Sequence, residues 1–365
     1  MNKIKLGEIA EIQAGPFGTQ LHKEEYVTQG IPMLNSKNIG NGRIITDSID
    51  YIPPGVCLRL PKYVLNEGDI LFGRAGTIER HAYVDEEYNG CFQGTNCIRI
   101  RCNDKKQALY ISYYLWLKEL KQRIENSSGG SIQSYITTDL LKDITIGIPD
   151  DFEKKAKMLR LIDKKIDNNT RINDNLAAMA YDIYMHTFFS KNPNGRLKDI
   201  LVEADKSLIQ VGEAKQSTGE YPFFTSGSAI LKWNTPFIDG RKCYLNTGGN
   251  ADVKFYVGKA AYSTDTWCVS ANNDMADYLY LFLVSIKPEL NQKFFQGTGL
   301  KHLQKPLLKD RPIYIPDIEE IQIFNKQVNP MFNVISENTR ENQELITLRD
   351  WLLPMLMNGQ AIISD

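Results

Sequence analysis

The chain writes one polar phrase twice: NTRINDNL at residues 169–176 and NTRENQEL at 338–345, with five of eight positions identical and an offset of 169 residues. Other phrases travel with it in the same order. LLKDITIGIPD (140–150) returns as LLKDRPIYIPD (307–317), and LYISYYLWLKEL (109–120) as YLYLFLVSIKPEL (278–290). KLGEIAEI (5–12) has an echo in RLKDILVE (196–203), and SGGSIQSYITTD (128–139) a looser one in QGTGLKHLQKP (296–306). Ordered echoes at a nearly constant offset mean an internal duplication, so each half must build its own version of one architecture. A chain of 365 residues has room for two or three domains.

Each repeat has two parts. Residues 1–150 and about 191–317 are rich in Gly, Asn, Thr, Pro and aromatics, with short β-type runs such as NCIRIR (96–101) and DVKFYV (252–257). This pattern predicts two α+β globules, with the clearest helix in the first over 107–124. Residues 151–190 lack glycine altogether, and 318–358 share their helical grammar; 359–365 form a tail. The first long segment predicts a seam of Met158, Ile162, Asn169, Ile172, Leu176, Met179 and Ile183. The second offers Ile335, Asn338, Leu345 and Leu352, preceded by apolar positions from Ile321 to Met331. Apolar residues at spacings of three and four describe helices packed lengthwise as a coiled coil. Asn169 and Asn338 fall in the seam at matching positions, where a buried asparagine fixes register at a cost in stability. Pro330 and Pro354 are expected to kink or end the second helix.

The expected fold is therefore globule, long helix, globule, long helix, with the helices antiparallel and the halves related by a pseudo-two-fold axis. A helix of ~35 residues is roughly 50 Å long. Two equivalent modules on a stiff spacer suit a two-part target, and half-sites one turn of B-DNA apart, ~34–36 Å, are such a target.

Composition narrows the class. Apolar residues make up 42% of the chain and the formal net charge is −1. Real cores are affordable, and coating nucleic acid by bulk charge is not expected. The six cysteines form no CxxC pair and no zinc pattern with the four histidines, which reads as reduced thiols. The start, MNKIKLGEIAEI, carries charges where a signal peptide has an apolar core, and the longest apolar run, YLYLFLV (278–284), is far too short for a membrane span. A cytoplasmic protein with no membrane partner is expected.

The alternating layout, together with GPFGTQL (15–21), KNIGNGRI (37–44), GDILFGRAGTI (68–78) and LNTGGNADV (245–253), resembles the specificity subunit of type I restriction–modification systems over essentially the whole chain. The resemblance implies a non-catalytic subunit whose two target recognition domains each read one half of a split, asymmetric double-stranded DNA site. It implies that the paired helices set the spacer and bind two modification methyltransferase subunits, and that restriction–translocase subunits can join. It implies no cofactor in this subunit; S-adenosylmethionine, ATP and Mg would serve the assembled complex.

Base readers need Arg and Lys for guanine edges and Asn and Gln for adenine edges, on exposed loops. The first globule offers Lys37, Asn38, Arg43, Arg74, Thr77, Arg80, Gln93, Thr95 and Asn96. The second offers Ser226, Lys232, Arg241, Asn246, Thr247, Asn250, Lys254, Lys301 and His302. Charge is uneven: residues 1–150 carry 17 basic and 18 acidic residues, 191–317 carry 16 and 13, and the last 48 carry 3 and 7. The acidic C-terminal helix should therefore face protein rather than phosphates.

Rival readings are weaker. IPDDFEKK (148–155) mimics the carboxylate–lysine set of metal-dependent nucleases, but the acidic residues crowd one helix start, where they suit the helix dipole. IPDIEE in the second copy lacks the lysine. No glycine-rich cofactor loop or base-flipping motif supports a methyltransferase. A two-headed protein adaptor that ignores DNA is the remaining alternative.

Overall fold

The computed structural model describes residues 2–74, 80–127 and 135–361. The chain divides into two compact units, Met1–Lys164 with Ile346–Asp365, and Lys165–Leu345. Two long helices, α1 (Phe152–Thr187) and α2 (Ile318–Met357), contribute to both.

The two units repeat one topology. In the first, a four-stranded antiparallel sheet has the order 10–14, 97–102, 70–73, 81–83. In the second the order is 201–203, 266–271, 241–246, 253–257. Beside each lies a three-stranded sheet with one parallel pairing, Met33 opposite Phe92 in one unit and Phe223 opposite Ala261 in the other. A short antiparallel pair closes each unit, Asn2–Lys5 with Thr145–Ile148 and Gly195–Arg196 with Pro312–Ile313.

Strand periodicity explains why these segments read as nearly continuous apolar runs. In the first unit Ile70, Phe72, Ile98 and Ile100 face the larger core, while Leu71 and Cys97 face a second core with Ala82 and Val84. In the second, Cys243, Leu245, Trp267 and Val269 face the larger core, while Tyr244 and Cys268 pack with Phe224 and Tyr256. The two central strands of each four-stranded sheet are buried on both sides, so they hold their ends rigidly.

The helix expected over 107–124 is two helices, Lys105–Tyr114 and Lys118–Ser127. Leu115 and Leu117 are both buried between them. Past Leu115 the helical ladder tightens: Trp116 N–H donates to the Tyr113 carbonyl at 3.0 Å and Leu117 N–H to that of Tyr114 at 3.1 Å, three residues back instead of four. Neither Pro330 nor Pro354 ends α2. Both prolines are exposed, so the carbonyls they leave unpaired four residues earlier can turn to water.

The seam differs from expectation by one residue at three places. Met158, Ile172 and Met179 are exposed, and Leu159, Asn173 and Ala180 face inward in their stead. Inward positions step by four and three through 155, 159, 162, 166, 169, 173, 176 and 180. Ile162 is buried, and Leu176 and Ile183 are half-buried; on α2, Ile335, Asn338, Leu345 and Leu352 are half-buried. The pattern was ambiguous because Met158 and Met179 are apolar neighbours of the true seam residues, and because Asn173 is polar.

In the second unit α1 and α2 run antiparallel through a layer of four asparagines. Asn169 donates to Asn342 Oδ1 at 2.9 Å and to Glu341 at 2.7 Å. Asn338 donates to Asn173 Oδ1 at 2.9 Å. Asn169 is the counterpart of Asn338 and Asn173 of Asn342, so each copy of the repeated phrase meets the other. Thr170 and Thr339 each donate to the carbonyl four residues earlier, repeating the symmetry. In the first unit the pairing continues with Arg349 on Asp163 at 3.0 Å and Leu159, Leu353 and Leu356 in one core.

Arg241, expected on a DNA-reading loop, instead ties sheet to helix. Its Nη1 donates to both oxygens of Asp277 at 2.7 Å, and its Nη2 reaches the Asn329 carbonyl at 3.2 Å and Asn333 Oδ1 at 2.5 Å on α2. Asp277 is buried, and burial pushes its carboxyl up to about 6 against the opposing pull of Arg241.

Two measurements test this architecture. Asn169→Leu leaves Asn342 Oδ1 without its donor and Glu341 with Lys165 alone, and should lower the urea-unfolding free energy by roughly 1–3 kcal/mol. Adding Asn342→Leu should recover part of the loss. An unchanged midpoint in the single variant would show that the layer does not determine the pairing. Arg241→Ala should cost about 3–5 kcal/mol at pH 8, because Asp277 is then buried unpaired. An unfolded aspartate titrates near 3.9, so the folded state binds this proton more readily and stability falls as pH rises from about 4 through 6. Losing Arg241 steepens that fall, and the variant should be less damaged at pH 5 than at pH 8 in thermal unfolding. Equal damage at both would assign the ion pair no role.

Candidate nucleic-acid interface

In the first unit, loops that follow the strands converge on a cleft of about 770 Å³. Its walls include Lys37, Arg74, Thr95 and Asn96, four of the residues expected to read DNA. Pro16, Phe17, His22, Lys23, Tyr26 and Asn35 complete much of the lining. None of these six was singled out from the sequence, although the phrase GPFGTQL contains two of them.

The cleft is held in shape by backbone bonds. Arg74 leaves the end of strand Ile70–Gly73, its N–H donating to the Asn96 carbonyl at 2.8 Å, while Ile136 N–H donates to the Arg74 carbonyl at 3.1 Å. Asn96 is exposed and Thr95 half-buried. Lys37 pairs with Asp50 at 2.9 Å, and Asn35 donates to the same carboxylate at 2.9 Å. Burial, then the Asp50 charge, pushes the Tyr26 hydroxyl above its ordinary range, so it stays a neutral donor. A wall offering Arg and Lys charge, an Asn amide and Thr and Tyr hydroxyls matches the donor and acceptor edges of bases and the oxygens of phosphates.

Two expected readers in this unit are interior. Asn38 is fully buried, donating to the Ile45 carbonyl at 3.0 Å and accepting from Asn35 N–H at 3.1 Å. Gln93 is also fully buried and donates to the carbonyls of Gln13 at 3.0 Å and Cys97 at 3.2 Å. Both fix the turns that present Lys37, Thr95 and Asn96. Arg43 is exposed on a separate turn whose Gly42 has a φ of 74° and donates to the His81 carbonyl at 2.9 Å. Arg80 is half-buried at the edge of the described chain, and Thr77 lies outside the described residues.

The second unit builds the corresponding strand-end loops differently. Asn246 is buried, donating to the carbonyls of Gly248 at 2.7 Å and Asn250 at 2.6 Å and accepting from Asp252 N–H at 2.7 Å. It shapes the loop instead of reaching out of it. Gly249, at a φ of 82°, donates to the Lys301 carbonyl at 2.9 Å, and Leu303 N–H donates to the Thr247 carbonyl at 3.0 Å. Thr247, Asn250, Lys301 and His302 are thereby gathered on one rim, the last three exposed. Lys254 is likewise committed inward, donating to the Thr225 carbonyl at 3.0 Å and to that of Gly227, which anchors the turn carrying Ser226. Lys232 is half-buried in strand Ile230–Trp233.

Among the described residues no group of three or more His, Cys, Asp or Glu side chains could hold a metal ion. At the would-be nuclease motif Lys155 is buried against Asp151 at 3.1 Å, while Glu153 is exposed. No helix of the described chain is long and apolar enough to cross a membrane.

The family model for the type I restriction modification DNA specificity domain matches residues 1–178 and again 191–347. The MjaIX specificity subunit of Methanocaldococcus jannaschii is 21% identical over 410 aligned positions, which cover 99% of this chain and 93% of that protein. The MjaVIII specificity subunit of the same organism is 27% identical over 170 residues, 45% of this chain and 39% of its own length. The crystal structure of a type I restriction-modification S subunit from M. genitalium superposes with a TM-score of 0.64 at 14% identity, covering 100% of this chain and 96% of that one. With both repeats matched, this chain belongs to the type I restriction–modification DNA specificity family, whose function is DNA sequence recognition.

Proposed function

We propose that the chain reads a bipartite, asymmetric double-stranded DNA site, one recognition unit per half-site, and catalyses nothing itself. One observation carries the reading: two units of the same topology extend charged and amide-bearing loops from corresponding strand ends, with different residues on each. Equal topology explains how both meet the same kind of ligand, and unequal side chains explain why the two halves of the site differ. In the first unit Lys37, Arg74, Thr95 and Asn96 are the readers. In the second, Ser226, Thr247, Asn250, Lys301 and His302 take that role.

The helix pair is the dock for two modification methyltransferase subunits and the ruler for the unspecified spacer. Support comes from the continuity of α1 and α2 through both units and from the acidic character of the last 48 residues, which carry 3 basic and 7 acidic side chains. The methyl donor belongs to those subunits, and ATP and Mg to any restriction–translocase subunits that join.

Co-expression with the methyltransferase encoded beside it, in a methylation-free host, should yield modification at a split motif with a fixed run of unspecified bases. Arg74→Ala should relax or abolish one half of that motif and leave the other readable. An unchanged motif would remove Arg74 from the site. A stable complex that methylates no motif would favour the protein-adaptor reading. The isolated chain, with a net charge of −1, should bind DNA more weakly than the assembled complex, since phosphate neutralisation dominates affinity. Tighter binding by the isolated chain in a salt titration would contradict this.

A further inference from the structure

Phe17 stands out among the residues of the first cleft. Its side chain is 60% exposed, yet it lines a wall otherwise made mostly of polar and charged groups, the carboxylates Glu24 and Asp50 among them, with Pro16 and Leu21 buried behind it. Single exposed apolar residues are common on protein surfaces, so exposure alone decides nothing. What separates Phe17 is that its loop is built to hold it there. Gly15 admits no side chain, because a Cβ would lie 2.1 Å from the Gly94 carbonyl oxygen. Pro16 is buried, and Leu21 is sunk in the core with Met33 and Tyr63. Between these anchors Gln20 N–H donates to the Phe17 carbonyl at 2.8 Å, and Gln20 Oε1 accepts from Phe17 N–H at 3.3 Å and from the Tyr63 hydroxyl at 2.8 Å. The ring is presented by a fixed loop, beside Arg74 and Asn96.

The second unit carries an exposed apolar residue in the corresponding loop. Gly15 N–H donates to the Cys97 carbonyl at 2.9 Å, and its counterpart Ala204 N–H donates to the Cys268 carbonyl at 3.0 Å. The loop that follows carries Leu208, 86% exposed, directly before Ile209, which packs inward with Phe223.

We propose that Phe17 is a specificity-determining residue, an apolar probe that contacts a base of the first half-site, with Leu208 acting likewise on the second. The proposal rests on the DNA-reading function above. Its chemistry is an apolar base surface, which is either the methyl group of a thymine in the major groove or the face of a base at a loosened step.

The test uses the full chain in complex with its methyltransferase subunits and begins with the motif of the parent complex. Phe17→Ala should slow methylation and weaken binding on the order of tenfold or more, through the first half-site alone. Leu208→Ala should act through the other half-site, and Phe17→Leu should retain most of the activity. Thermal unfolding should be unchanged in all three. Duplexes with each thymine of the half-site replaced by uracil identify a methyl contact: the parent loses affinity on one of them, and Phe17→Ala loses nothing further. Duplexes carrying 2-aminopurine identify contact with a base face: fluorescence rises on binding the parent complex and rises less with the variant. If Phe17→Ala stays within twofold of the parent on every duplex while the parent reads a split motif, the proposal fails and the DNA-reading function stands. If the parent reads no motif, both fail together.

Discussion

The pairing of Asn169 with Asn342 and of Asn173 with Asn338 is the constraint on which the helix pair depends. An asparagine in a helix seam is tolerable only when a polar partner faces it, so a one-turn slip would set amides against Ile335 or Leu345 on α2 and Ile166 or Leu176 on α1. Aliphatic seam residues would accept such a slip at small cost. The repeated phrase is therefore a matching key written twice, and its placement 169 residues apart is what lets each copy face the other antiparallel. Glu341, held below its ordinary range by the Asn169 amide and then by Lys165, extends the layer to the surface.

Rigidity then passes from helix to sheet to loop. Arg241 joins the sheet to α2, and Ser336 on α2 accepts from Val257 N–H at the end of strand Val253–Val257 at 2.9 Å. The central strands of each four-stranded sheet, buried on both faces, hold the ends from which Arg74 and Thr247 depart. Side chains that look like base readers in the sequence, such as Asn38, Gln93, Asn246 and Lys254, spend their hydrogen bonds on carbonyls of the loops themselves. They act on specificity by fixing where their exposed neighbours sit, which is why a recognition loop needs more amide side chains than the ligand can use.

Much of the architecture was legible because duplication is a strong signal and helix and strand periods differ. The two long helices, the strands around 96–101 and 252–257 and the seam position of Asn169 all follow from pattern. What pattern could not decide was which of two adjacent apolar residues faces inward, as at Met158 and Leu159, because hydropathy scores both alike. It also missed the break between Tyr114 and Lys118, where no glycine or proline marks the change to bonds three residues back. The candidate site was legible only in part. Lys37, Arg74, Thr95 and Asn96, named from three separate stretches, line one cleft, but composition cannot tell an asparagine that caps its own loop from one that is free to meet a ligand. That distinction depends on which carbonyls the fold leaves within 3 Å. Phe17, the proposed probe, was invisible for the opposite reason: the expectation admitted only polar readers, and an aromatic in a glycine-flanked turn carries no donor to count.

Charge bears on why the proposed reader would be built from amides and an aromatic probe. Phosphate contacts raise affinity for every sequence equally, and a strongly basic subunit would occupy the genome at random. A chain with net charge −1 has little of that uniform attraction. Its discrimination must come from contacts that are lost when one base changes, through hydrogen bonds left unmade or a methyl group removed. On the proposed reading, leaving bulk phosphate neutralisation to partner subunits would make tight binding conditional on assembly, so that the chain selects the site while the complex supplies the grip. The proposed apolar probe fits that division of labour, since it adds no charge and, where it meets a thymine methyl, responds to the identity of the base.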